Sequence, residues 1–190
     1  MLGVGDAIAL GEIQRYVGKI GAPEPQVVYA ARLSGDALNE TLKHTLISLG
    51  GPDANVVTRE AVKLIDSRLR FGDPTINEIA IRDTGVVPPR LYAPSTPGHD
   101  DATTDYGVIL RAPNPTAPGK EIMIIAGSFG HGTLAGTRYV TSPAFLTLPV
   151  SKARDAFESL VETDVVRDAP QAVRLVIARS IQTGTATSGT

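Results

Sequence analysis

Hydrophobic positions along this chain change period several times, and each change predicts an element. Ile13, Tyr16, Val17 and Ile20 recur at i, i+3, i+4 and i+7, the spacing of one helical face. Asp6 is placed to N-cap that helix, and Gly21 followed by Pro23 to end it. Residues 26–31 are a short β-branched run and predict a first strand. Residues 34–43 predict a short helix or turn. Residues 45–49 predict a second strand, apolar enough for burial on both faces. Residues 56–65 then return to helical spacing, with Val57, Ala61, Leu64 and Ile65 on one face.

From 66 to 105 the pattern weakens. Residues 78–82 predict a short strand, while Pro88, Pro89, Pro94, Pro97 and Gly98 punctuate a segment that ends in the polar run 99–104. A connection this long is uncommon in a compact domain and predicts a surface excursion or a lid. Residues 105–111 and 121–126 are strand-like and joined by a proline- and glycine-rich link too short for a crossover, so they predict antiparallel neighbours. Residues 134–140 predict a helix, and Ser142-Pro143 restarts a short one with proline at its first position. Residues 157–166 and 172–181 predict two more strands around a turn at 167–170.

Helices and strands that alternate in the first half, followed by hairpins, predict an α/β fold: a Rossmann-like three-layer domain with a mainly parallel sheet and antiparallel edge strands. One domain over 1–182 suits the length of 190 residues, and the small polar residues of 183–190 predict a disordered C-terminal tail.

Two strand-to-helix junctions are rich in glycine. The first runs through Gly50, Gly51, Asn55 and Thr58, and the second through Gly127, Ser128, Gly130, Gly132 and Thr133, with Arg138 one turn further on. Such turns bare backbone N–H groups at the positive end of a helix dipole and suit a phosphate or carboxylate. These ten residues are the expected ligand-binding set, with two turns facing each other across one crevice. Simpler readings stand beside this one: Asn55 or Asp53 as an ordinary N-cap, Thr133 as a cap of its own helix, and Arg111 paired with Asp105 or Glu121. The first turn lacks the lysine of a P-loop. The second has glycines at altered spacing from the dinucleotide fingerprint, and no acidic residue closes the stretch 147–150.

His131, alone among the three histidines in lying within a glycine turn, is the candidate general acid–base. Ser128 narrowly misses a nucleophile elbow, because Ala126 stands where glycine is required. His44 and His99 sit in unrelated segments, so no metal site is expected. The sequence names no cofactor.

The stretches Gly-Gly-Pro-Asp-Ala-Asn-Val-Val-Thr (50–58), Asp-Tyr-Gly-Val-Ile-Leu-Arg-Ala-Pro-Asn-Pro (105–115) and Ala-Gly-Ser-Phe-Gly-His-Gly-Thr (126–133) together resemble a poorly characterised group of bacterial Rossmann-like domains. That group carries a GGPxxN turn and a later AGxxGxGT turn. The resemblance spans roughly residues 5–180; it implies the fold and transfers no activity.

Composition narrows the function classes. A net charge of -2 with scattered basic residues gives no footprint for nucleic acid, and zero cysteines remove disulfides, thiolate metal sites and cysteine nucleophiles. No apolar run reaches the roughly 18 residues of a membrane span, so the expected setting is cytoplasmic without a membrane partner. The leading expectation is a non-catalytic domain that binds or senses a small anionic ligand of nucleotide type. The alternatives are a nucleotide- or nucleoside-processing enzyme using His131, and an assembly module that forms homo-oligomers through its exposed strands.

Overall fold

The computed structural model of the chain describes residues 3–72, 79–96, 102–152 and 156–181. Helices α1 (Val4–Lys19) and α2 (Gly35–Leu42) precede strand β1 (Leu46–Leu49), helix α3 (Val56–Leu64) and the short strands β2 (Leu69–Phe71), β3 (Ile81–Asp83) and β4 (Arg90–Tyr92). Then come β5 (Thr104–Pro113), β6 (Glu121–Gly127), α4 (Gly130–Val140), α5 (Pro143–Leu146), α6 (Pro149–Lys152), β7 (Phe157–Val166) and β8 (Ala169–Ser180). The main sheet has the order β1-β6-β5-β7-β8, and β2-β3-β4 form a separate antiparallel sheet.

The protein is a mixed α/β chain, but its main sheet is mostly antiparallel. Only β1 and β6 run parallel; β6–β5, β5–β7 and β7–β8 are antiparallel. The expected mainly parallel sheet is therefore corrected. The strand expected over 26–31 does not form. Val27 and Val28 are 52% and 45% exposed, and the stretch ends in a 3-10 turn at Ala30–Arg32. Two adjacent β-branched residues with no partner strand have no face to bury. The remaining long strands come as hairpins, which pair antiparallel. In the β5–β6 link, buried Asn114 donates to the carbonyls of Leu42 (2.7 Å) and His44 (2.8 Å) and accepts from the Thr116 amide.

Alternation along the strands feeds two cores. Val108, Leu110, Ile122, Ile124 and Leu160 pack with Ala61 and Ile65 behind α3, and with Leu69, Ile81 and Tyr92 of the small sheet. Ile109, Ile125, Phe157 and Val161 face the other way, onto Ile13 of α1 and Ala135, Tyr139 and Val140 of α4. The small sheet thus occupies much of the segment read as irregular. It is bolted to the main sheet by Arg179 of β8, which reaches Glu158 of β7 (2.6 Å) and Asp83 of β3 (2.6 Å). Glu158 is fully buried and also accepts from Ser67 Oγ (2.6 Å) and the Arg68 amide (2.8 Å).

Several local expectations shift. The N-cap of α1 is Gly3, with Asp6 in the first turn. As an edge strand, β1 leaves Ile47 45% exposed, and on α3 the inward face is Val57, Thr58 and Ala61 while Leu64 stays 52% exposed. Ser142 does cap α5, with Pro143 at its start. The expected tail over 183–190, Pro97, Gly98 and residues 99–101 of the polar run lie outside the described residues.

Candidate functional site

Both glycine turns leave the carboxyl ends of parallel neighbours, Leu49 of β1 standing opposite Ile125 of β6. The turns consequently lie side by side: a Cβ placed on Gly51 would sit 3.1 Å from the carbonyl oxygen of Gly127. Gly50 has φ +102°, a left-handed conformation that favours glycine, and its amide donates to the Ile125 carbonyl (3.0 Å).

The polar residues of the first turn are engaged in holding it. Asn55 N-caps α3 by accepting from the Thr58 amide (3.1 Å). Its amide group donates to the Leu49 carbonyl (2.8 Å) and to Ser48 Oγ (3.0 Å). Thr58, fully buried, closes the network through a 2.7 Å hydroxyl contact with Ser48. The capping alternative weighed for Asn55 is the geometry that forms.

The second turn is shaped by close approach. A Cβ on Gly132 would strike the Tyr106 carbonyl, and one on Gly107 the Gly132 carbonyl, so α4 rests directly on β5. A Cβ on Gly5 would likewise strike the Gly130 carbonyl, so α1 abuts the start of α4. Helix α4 begins at Gly130, ahead of the expected 134, with Phe129 as N-cap. Thr133 does not cap it; its hydroxyl accepts from the Gly127 amide (3.0 Å).

What receives the helix amides is Asp105. One carboxylate oxygen accepts from Gly132 N (2.5 Å), the other from Tyr106 N (2.8 Å), and Phe129 N lies 3.2 Å from both. The residue is fully buried. Burial pushes its carboxyl up to about 6, against the opposing pull of those three amides and of nearby His131. An internal carboxylate thus occupies the position where an anion was expected.

A second carboxylate lies between the two turns. Asp6 Oδ2 is 3.4 Å from a Cβ placed on Gly50, and the Thr133 hydroxyl stands beside the same side chain. Burial raises the Asp6 carboxyl above its usual range, Thr133 lowers it, and the neighbouring charge of Asp53 raises it again. Its Oδ1 is buried and, among the described residues, has no partner; the same holds for Ser128 Oγ.

Of the expected set, Gly50, Gly130 and Thr133 lie against Asp6, while Gly51 and Gly127 lie against each other. His131 turns instead to Asp168 on the β7–β8 turn (3.0 Å), and Arg138 engages Glu12 of α1 (3.2 Å) and the Pro170 carbonyl (3.2 Å). Arg111 pairs with Glu121 at 2.6 Å. Sequence reasoning did not single out Asp6 or Asp105 as site residues. Their only linear signal is an acid just outside a glycine-rich junction, Asp105 immediately before Tyr-Gly and Asp6 after Gly-Val-Gly.

The arrangement accepts hydrogen bonds more readily than it holds negative charge, since Asp6, Asp53 and Asp105 surround the paired turns. Among the described residues there is no group of three or more His, Cys, Asp or Glu able to hold a metal ion, and no helix is long and apolar enough to cross a membrane. Comparison with protein-family models, with curated proteins and with solved structures finds no match to this chain in any of the three.

Proposed function

We propose that the protein is a small-molecule binding or sensing domain whose ligand lies over the paired glycine turns. The reading is Rossmann-like in one respect: the site sits beyond the carboxyl ends of parallel strands, where α/β proteins commonly bind ligands. The observation that carries it is Asp6, a carboxylate wedged between the two turns with one buried oxygen unpartnered. A buried acceptor without a donor is costly, and a ligand hydroxyl or amine would supply the donor. A nucleotide-type ligand meets this demand through its sugar hydroxyls, with its anionic groups directed away from Asp6 and Asp53. The bare phosphate seat on α4 is taken by Asp105, so phosphate alone is a poor ligand.

Thermal-shift measurements with nucleosides, nucleotides and inorganic phosphate test this. Ligand at one hundred times its Kd stabilises by about 2.7 kcal/mol, several degrees in Tm for a chain of this size. Nucleosides and nucleotides should raise Tm, phosphate should not, and Asp6→Ala, which removes the acceptor, should lose most of the shift while remaining folded. Absence of any shift, or an unchanged one in Asp6→Ala, refutes the proposal.

A further inference from the structure

Strand β8 is the last strand of the main sheet and is 12 residues long; among the described residues nothing pairs with its outer side. An open edge of this kind displays N–H and C=O groups that another extended strand satisfies, and proteins usually guard it with outward charges or proline. Here both arginines of the strand are turned away from the edge. Arg174 folds back onto its own β7 neighbours, bidentate on Asp164 (2.7 and 2.9 Å) and within 2.6 Å of Glu162. Arg179 folds back onto Glu158 and Asp83. What remains exposed between them is apolar, Leu175 at 37% and Val176 at 36%.

The register of β8 limits what can pair with it. Leu160 stands opposite Ile177 and Val161 opposite Leu175, so Val176 is an extra, bulged residue. In a regular strand, residues an odd number apart face opposite ways. Across the bulge this reverses: Val173 and Ala178 both pack toward the α1–α4 side, while Ile177 packs on the opposite core. Arg174 lies on that opposite side too, because its partner Glu162 stands opposite Tyr106 in the β5–β7 register, and Tyr106 packs there. Two antiparallel copies of β8 that pair along its length, across the bulge, therefore match face to face when the two-fold axis passes between residues. An axis through the Leu175–Val176 step sets Val173 opposite Ala178 of the second copy, Arg174 opposite Ile177 and Ala172 opposite Arg179. One step further along, Arg174 would meet Arg179.

The geometry points to a second copy of this chain as the occupant: β8 pairs antiparallel with β8 about the Leu175–Val176 step, joining two main sheets into one continuous sheet. The edge matches itself in face, and this register keeps the arginines of the two copies from standing opposite each other, as an isologous interface requires.

The full chain run through size-exclusion chromatography with light scattering tests this, and it does not depend on the ligand. The expected mass is that of two chains, returning to one chain in Leu175→Lys/Val176→Lys with unchanged far-UV circular dichroism. The chain contains no cysteine, so Val173→Cys/Ala178→Cys reports register without background. Within one strand those positions lie roughly 16 Å apart, beyond the reach of a disulfide, so oxidation should give covalent dimers. Val173→Cys/Ile177→Cys should give few. A single-chain mass at every concentration, a dimer indifferent to the two lysines, or equal cross-linking in both cysteine pairs overturns the proposal.

Discussion

Consider Asp105→Ala, with urea unfolding of the variant and the parent chain followed from pH 8 to pH 4. In the folded parent, burial lifts the carboxyl from 3.8 to about 6. Between those values the folded state holds a proton that the unfolded state releases. The associated stabilisation is complete below the unfolded value and is lost as pH rises through the folded one. At about 1.4 kcal/mol per tenfold change in proton affinity, the difference is about 3 kcal/mol. The variant lacks this contribution. It also leaves the amides of Tyr106, Phe129 and Gly132 without their acceptor, at about 1–3 kcal/mol for each one that stays buried and dry. The variant should be less stable throughout, with a gap that widens by about 3 kcal/mol on acidification, most of it between pH 6 and pH 4. Subtracting one curve from the other removes the remaining titrating groups, and matching m-values would show that the unfolded states are comparable. Parallel curves, or a gap that narrows toward acid, would refute the account of Asp105 as a carboxylate whose burial outweighs its three amide partners.

Further perturbations probe other features. Arg179→Ala strands fully buried Glu158 and nearly buried Asp83; a loss of about 3–5 kcal/mol is expected in urea unfolding, and a loss below 1 kcal/mol would show that the small sheet is not held by this bolt. Gly132→Ala drives a methyl into the Tyr106 carbonyl and should cost about 1–3 kcal/mol or more, whereas Gly11→Ala, mid-helix in α1 with open space around it, should gain about 0.5–1 kcal/mol. Asn55→Ala removes the α3 cap and its bonds to Ser48 and Leu49, with an expected fall of about 1–2 kcal/mol measured by thermal or urea unfolding.

Much of the element pattern is legible locally. The helix through Ile13 and Val17, the β5–β6 hairpin, the Ser142-Pro143 start and the long strands β7 and β8 follow from spacing and turn chemistry alone. Sheet direction is less accessible. It depends on whether 26–31 finds a partner strand, and on how the later hairpins insert beside β6; both are decided by distant packing. The site divides in the same way. The two glycine junctions can be found by eye, and their adjacency follows once β1 and β6 are known to be parallel neighbours. Their electrostatics depend on Asp6 and Asp105, which arrive from 44 or more residues before Gly50 and from the strand beside β6, a conjunction that spacing within either turn does not reveal. Glycine, moreover, has two uses that read alike in sequence: exposing amides to a ligand, and letting two backbones touch. At Gly132 and Gly107 the second use is the one observed.

The way α4 is anchored bears on the order in which the chain assembles. Its opening stretch, Gly-His-Gly-Thr-Leu-Ala-Gly-Thr, has low intrinsic tendency to coil into a helix, and the acceptor for its leading amides is supplied from β5, 24 or more residues upstream. The helix therefore gains its full stability only after the β5–β6 ribbon has closed. Substitutions within α4 should then speed unfolding while leaving the refolding rate nearly untouched.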